Sequence, residues 1–511
     1  MPKVRLFFGL AFLLIMLIAS QSLASPNIIN TPAKGPPKKQ LTITGAEFEA
    51  FEAVDIFFDL DDLALTVSDS TGQFSATLKV PATAAPGTHW VTAIGRRSGL
   101  AAQKAFSVNT NWYQYRYNTS RTGFNPHENV LRVGNVGDLQ FLWGYDTAHG
   151  IESTPAVVDG RVYVGNYWGQ LYCFNAATGG VYSGWPVLAS ASIMGSPAVY
   201  SGRVYIGDEA GQLHCFNAKT GITQTGWPKI IGSPIQSSPV VSGNIIYVGC
   251  SNGKVYAYNR TTGAPRPSWP VSTGGAVTAS PAVAKGRVFV GSQDKKLYAF
   301  NAVGGAKLWD SGTTITDIID YSTPAVGPND MVYVGSVDRK LYCFRASTGA
   351  KLWDSGENIT AQIRCSPAVA KNRVYVGSLD GKLHAFNART GALLPGWPVT
   401  TGGNIYSAPT VANGVVYVGS ADGCLYAFDA VSGALLCQWN TGEQILRSSP
   451  VVVNGTVYLG TRPVDGAAPH GWMYAFNLDG PPEELAARGL GAPAGPPDPA
   501  TLVPDYTLTP Q

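Results

Sequence analysis

Eight side chains of unlike chemistry stand at one recurring place in this 511-residue sequence: Glu152, Met194, Gln236, Thr278, Asp320, Arg364, Tyr406 and Arg447. Each comes just before a Ser-Pro, Thr-Pro or Ala-Pro step, and the residues around it repeat while it does not. A place that varies inside a constant framework is free for recognition. Two acids, two arginines, an amide, hydroxyls and a thioether converging on one spot could hold a polar ligand. They could equally pair among themselves in a narrow channel, where buried polar groups must find partners in any case. A divalent cation fits them poorly. Ca²⁺ needs several oxygens converging at about 2.4 Å, whereas Glu152 and Asp320 are expected on opposite sides of a ring, with Asp320 beside Arg364. No metal site is expected, and no residue is assigned to catalysis or to cofactor binding.

Other reactive residue types are scattered. His214 and His384 fall where other repeats carry Tyr, which makes them packed strand residues before bases or ligands. Cys173, Cys215 and Cys343 occupy the place of Ala257, Ala299, Ala385, Ala427 and Ala475, where a buried thiol fills about the space of Ala. Cys250, Cys365, Cys424 and Cys437 fall at unrelated phases, so a disulfide among them is left open, and seven Cys leave at least one unpaired within the chain. Asp59, Asp61 and Asp62 read as a solvated loop and not as a calcium site.

The elements that must position the eight variable residues follow from the period. The prolines stand at 155, 197, 239, 281, 324, 367, 409 and 450, spaced 41 to 43 residues apart. A period of that length with strands inside each unit is the signature of a β-propeller with four strands per blade. One unit runs through Pro367-Ala368-Val369, Arg373 to Val376, Lys382 to Phe386 and a fourth strand ending in Trp. Asp380-Gly381 and Thr390-Gly391 supply the turns. Fourth-strand tryptophans stand at 143, 185, 227, 269, 309, 353, 397 and 439. Because Trp143 precedes the first Pro and no fourth strand follows Pro450, the strand around Gln140 to Tyr145 is expected to complete the last unit. The expectation is all-β: eight blades over 109–479, closed by an N-terminal strand, with the variable residues ringing the channel mouth.

Composition agrees. Gly 59, Pro 35 and 11% aromatic with only 14% charged residues suit many short strands joined by tight turns. Lys3 and Arg5 precede an apolar run from Leu6 to Ala19, and Ser22-Leu23-Ala24 offers small residues for signal cleavage near Ala24. The mature chain is then secreted or periplasmic, with no transmembrane segment and, lacking a Cys after the run, no lipid anchor; the alternative is that the run stays as an uncleaved anchor. Without Lys3 and Arg5 the formal charge falls from +3 to +1 with no basic block elsewhere, so nucleic acid is not an expected partner. Residues 25–40 read as a solvated linker and 41–108 as a small antiparallel β-sandwich of at most seven strands. The Pro/Gly-rich stretch 480–511 is expected to be disordered. Between Gly460 and Met473 the last unit carries extra residues, among them Asp465, His470 and Trp472, which read as a lengthened hairpin or a cap on the channel.

Tyr298-Ala299-Phe300-Asn301-Ala302 to Gly305 and Trp309, and Tyr342-Cys343-Phe344 to Thr348-Gly349 and Trp353, resemble the PQQ-type (quinoprotein) propeller repeat, over about residues 112–478. The resemblance implies that each of the eight tryptophans docks across to the next blade. Five units place Trp two residues late, as in Gly184-Trp185-Pro186. The segment 41–108 resembles bacterial Ig-like domains in Leu41-Thr42-Ile43-Thr44-Gly45 and Pro86-Gly87-Thr88. Dehydrogenases of the quinoprotein family would imply a vicinal Cys pair, clustered Glu, Asn and Asp for calcium and sometimes Cys-x-x-Cys-His, yet the chain has no Cys-Cys and no Cys-x-x-Cys-His. The resemblance therefore implies an exported, non-catalytic propeller, similar to BamB-type assembly proteins, that binds a protein or another cell-envelope ligand. The alternative is a PQQ-dependent alcohol dehydrogenase with atypical contacts, and only that reading would call for PQQ and calcium.

Overall fold

The computed structural model describes residues 25–463 and 470–480. The expected signal segment, Asp465 and, apart from Gly480, the expected disordered tail lie outside these residues. The chain divides between Asn109 and Thr110.

In the first unit, alternation decides the fold. Leu41, Ile43, Val54, Ile56, Val91 and Phe106 come from two sheets and share one core. One sheet orders Asn27–Thr31, Gln40–Ala46 and Phe74–Lys79; the other orders Lys34–Gly35, Ala101–Val108, Gly87–Gly95, Ala53–Phe58 and Asp61–Val67. The stretch 25–40 is therefore no linker. Asn27–Thr31 pairs antiparallel with Gln40–Ala46, and Lys34–Gly35 runs parallel to Ala101–Val108. Burial alternates along Asn27–Thr31, with Ile28 and Asn30 inside and Ile29 out, as in a half-buried strand, although its residue types do not alternate. Among the described residues the unit has eight strands, two of them in 25–40 and six from Gln40 to Val108, where at most seven were expected. Asp59 is not free in solvent: its carboxylate meets Nδ1 of His89 at 2.6 Å and accepts the Trp90 N–H.

In the second unit each repeat folds as one sheet; among the described residues seven of these sheets have four strands, and the eighth gains a fifth, Phe124–Asn125, parallel to Thr410–Ala412. Arg373–Gly377 shows why: Val374 and Val376 face one way and Tyr375 the other, and all are buried, as a sheet pressed between two others demands. Gly381 and Gly391 take φ near +74 in the turns, a region open to Gly without Cβ cost. The innermost strands adjoin in chain order, and Val451–Val453 lies against Ala156–Val158, so the ring closes. Gln140–Asp146 pairs antiparallel with Trp472–Asn477 and supplies the outer strand of the last sheet. Helix is confined to one 3₁₀ turn, Val136–Asp138, among the described residues.

The tryptophans dock in two ways. Nε1 of Trp143, Trp309 and Trp353 donates to a carbonyl of the following sheet, those of Ala176, Ala346 and Ala388, at 3.0–3.1 Å. Trp185, Trp227, Trp269 and Trp397, each before a cis proline, leave Nε1 without a partner and stand edge-on to Tyr163, Tyr205, Tyr247 and Tyr375. Those tyrosines take over the tie, and Tyr163, for one, donates to the Ala218 carbonyl of the next sheet at 2.8 Å. Trp439 departs from the expectation. Register puts Cys437 opposite Ala427, where Trp309 faces Ala299 and Trp353 faces Cys343. Trp439 is displaced two residues along a partly exposed edge and packs on Phe476.

Candidate functional site

Three layers fill the channel. At the mouth, the turns before the innermost strands bring Glu152, Met194, Gln236, Thr278, Arg364, Tyr406 and Arg447 around one opening. The eighth position is corrected: Tyr321, not Asp320, lines the opening. Tyr321 is the residue three before Pro324, the same step that separates the other seven from their prolines. It takes φ +61, and Asp320 turns away, buried against Thr278 Oγ1 and Gln293 Nε2 at 3.2 Å each.

The charged mouth residues pair with one another, although Glu152 Oε2 and Arg447 Nη1 face each other as an ion pair without a hydrogen bond and have no other partner among the described residues. Arg364 meets Asp320 at 3.1 Å, and Glu152 is held by Arg447 at 3.3 Å and Arg462 at 3.2 Å. The Arg447 guanidinium lies over the Tyr321 ring, 3.6 Å from its centroid, and Tyr321 donates to Gln236 Oε1 at 3.1 Å. Burial works against the Arg447 charge, but Glu152, then Tyr321 and Tyr167, outweigh it and raise its pKa. Burial likewise raises the Tyr321 phenol, which therefore stays neutral. The cavity left at the mouth is about 40 Å³, room for about three waters.

Below the mouth runs a belt of hydroxyls. In each Ser-Ser-Pro or Ser-Thr-Pro step the first hydroxyl accepts a glycine N–H of its own sheet, as Ser153 does from Gly165 and Ser237 from Gly249, both at 2.9 Å. Cys365 takes this place in its sheet with its thiol, 3.2 Å from the Gly377 N–H. The second hydroxyl accepts a backbone N–H from the preceding sheet. Seven such bonds of 2.8–3.1 Å link the ring. The eighth is missing because Ala408 has no hydroxyl to offer Ser366.

The third layer was invisible to the repeat. Residues 110–125 cross the channel and meet all eight innermost strands in turn. Trp112 exchanges both backbone bonds with Val157; the carbonyls of Tyr113, Thr119, Ser120, Thr122 and Gly123 accept the N–H groups of Val199, Val283, Val326, Val369 and Val411. Gln114 Oε1 accepts from Val241, and Asn125 Nδ2 donates to the Val452 carbonyl. The segment thus occupies backbone groups that an innermost strand would leave open. Its sequence signal was the crowd of Trp112, Tyr113, Tyr115, Arg116, Tyr117 and Arg121 standing before the first repeat.

The remaining candidates are structural. All seven cysteines are free thiols. Buried His214 meets Asp208 at 2.8 Å and stacks on Phe216, while His384 stacks on Phe386. His470 reaches Asp146 at 2.8 Å, and Trp472 stacks on Tyr474 within its strand. Among the described residues no group of three or more His, Cys, Asp or Glu could hold a metal ion, and no helix is long and apolar enough to cross a membrane.

A family model described as outer membrane protein assembly factor BamB matches residues 128–355 and 337–479. The dehydrogenase subunit of the quinone alcohol dehydrogenase of Acetobacter aceti is 41% identical over 71 residues, 14% of this chain and 9% of that protein. The chain thus spans about a tenth of the length of the curated relatives it matches. The quinohemoprotein alcohol dehydrogenase of Pseudomonas putida HK5 superposes with a TM-score of 0.62 at 18% identity, over 76% of this chain and 82% of that one. BamB of Moraxella catarrhalis superposes with a TM-score of 0.54 at 20% identity, over 66% and 97%. These likenesses establish the β-propeller fold.

Proposed function

The chain belongs to the PQQ-like β-propeller repeat family whose model is described as outer membrane protein assembly factor BamB, and from that premise we propose that it is an exported, eight-bladed binding or scaffold module, preceded by an Ig-like sandwich. One observation carries this reading: Arg447 stacked on Tyr321, with Glu152 and Asp320 already paired to arginines, leaves about 40 Å³ at the mouth. A space for about three waters does not take a fused-ring quinone. Recognition then falls to the outer surface and to a protein or other cell-envelope partner, in a secreted or periplasmic chain cleaved near Ala24.

A second reading, a PQQ-dependent alcohol dehydrogenase, has the curated relatives on its side, since four of those matched are dehydrogenase subunits of quinone alcohol dehydrogenases by name and another is a cytochrome c 1-butanol dehydrogenase. The residues present do not fit that cofactor. The acids are committed to arginines, no vicinal Cys pair exists, and the described residues converge on no metal. Calorimetric titration of the purified mature protein with PQQ and Ca²⁺, with a dye-linked alcohol oxidation assay, separates the two. No heat and no dye reduction is the expected result; tight binding with turnover would put the dehydrogenase reading in its place.

A further inference from the structure

Part of the hydroxyl belt has hydrogens to give. A Ser or Thr hydroxyl carries one O–H donor and two acceptor lone pairs. On four consecutive sheets Ser196, Ser238, Ser280 and Thr323 each accept a backbone N–H from the preceding sheet, at 2.8–3.0 Å. Their own hydrogens reach no acceptor among the described residues. Elsewhere in the belt the hydrogen is placed: Ser449 donates to the Arg447 carbonyl at 3.5 Å, and Ser366 shares one with the Tyr115 hydroxyl at 3.1 Å. The four open donors all line the mouth cavity of about 40 Å³.

Charge around the cavity favours an anion there. Glu152, also in the lining, is offset by Arg447 and Arg462, and Asp320 is offset by Arg364. Arg116 and Arg121, in the segment that crosses the channel, are 1% and 0% exposed and meet no carboxylate among the described residues. Arg121 holds the cavity wall from behind, donating to the carbonyls of Tyr115 and Ser238, both in the lining, at 2.6 and 3.1 Å. Arg116 donates to the Pro367 carbonyl at 3.1 Å, beside Cys365 of the same wall. In an interior that screens charge weakly, two cations without a carboxylate stabilise a neighbouring anion.

We propose that the mouth cavity binds a small carboxylate, formate or acetate in size, whose oxygens accept from the hydroxyls of Ser196, Ser238, Ser280 and Thr323. Room for about three waters suits an anion of that size. Two oxygens on one planar group serve donors on adjacent sheets, and such bonds are charge-assisted. The site is separate from the outer-surface recognition proposed above, so its failure leaves that reading untouched.

Calorimetric titration of the purified mature protein with sodium acetate at neutral pH, with sodium chloride holding the ionic strength, tests the proposal. A saturable isotherm for acetate is expected, with none for benzoate, whose ring overfills the cavity. No isotherm for acetate, or tighter binding of inorganic phosphate, overturns it. Ser238→Thr with Ser280→Thr keeps the belt acceptors, as Thr154 and Thr323 do in their own sheets, and adds methyl groups to the wall. That pair should weaken acetate about tenfold by crowding the cavity; an unchanged affinity also overturns the proposal. Should the variant fail to fold, crystals of the unaltered chain grown in sodium acetate decide. A planar anion on the four hydroxyls is expected; water there, or an anion in crystals without an isotherm in solution, which is binding at crystal concentration only, overturns it.

Discussion

At the scale of single residues the mouth is a network whose members differ in how replaceable they are. Asp320 keeps Thr278 and Gln293 if Arg364 is lost, whereas Glu152 loses one of its two arginines with Arg447, and Tyr321 loses the cation on its face. Arg447→Ala is therefore expected to lower stability by roughly 2 kcal/mol, below the full cost of breaking a buried pair because the arginine is partly exposed, and Arg364→Ala by about 1 kcal/mol. Urea unfolding reads both; an Arg447→Ala protein as stable as the parent would mean the ring is built for a ligand. His384 gives a pH effect. Burial pushes its pKa down to about 4, with Asp380 pulling the other way, so between the ordinary value near 6.5 and about 4 the unfolded chain binds a proton that the folded chain refuses. Stability is accordingly lost as pH falls through that window, by about 3 kcal/mol at most. Most other repeats carry Tyr here, and Tyr342 and Tyr426 donate to Asp338 and Asp422, the counterparts of Asp380. His384→Tyr should flatten the decline in melting temperature between pH 6.5 and 4; an unchanged acid limb would place the proton uptake on another group.

At the scale of elements, the hydroxyl belt joins seven of the eight neighbouring pairs of sheets through one N–H···O bond each. Ser280→Ala removes the acceptor of the Ser238 N–H, and an orphaned buried donor costs about 1–3 kcal/mol. Ala408→Ser should work in the opposite sense, closing the belt at Ser366 for about 1 kcal/mol; thermal unfolding of the two variants checks both signs. These elements were legible because they are written many times over. The proline period locates the innermost strands, and the position of Trp143 before the first proline foretells the pairing of Gln140–Asp146 with Trp472–Asn477. What was lost depends on single departures from the period. Asp320 was taken for Tyr321 because its charge drew the assignment, although the three-residue step to proline kept at the other seven positions points to Tyr321. Trp439 was grouped with the docking tryptophans because type is visible in a sequence and register is not. In 25–40, four prolines hid a short half-buried strand behind a linker-like composition.

At the scale of the whole molecule, the crossing segment 110–125 changes what kind of repeat protein this is. In a solenoid each unit touches only its neighbours, and stability is a sum over nearest-neighbour interfaces that can fail one at a time. Here one short segment, which matches no repeat, bonds to the innermost strand of every sheet, so losing it removes a partner from all eight at once. The pairing of Gln140–Asp146 with Trp472–Asn477 closes the perimeter, and the segment closes the axis. Such coupling makes unfolding of the propeller a single event, since a sheet that opens must break contacts shared with sheets on the far side of the ring. Replacing 110–125 with a Gly/Ser linker of equal length keeps the perimeter closure but removes the shared axis. The expected result is a broader denaturant transition with a smaller slope than that of the parent propeller, and amide exchange that becomes faster first in the innermost strands. A transition as sharp as the parent's, merely shifted to lower denaturant, would mean that the sheet-to-sheet interfaces and the belt carry the cooperativity and the segment only fills the channel.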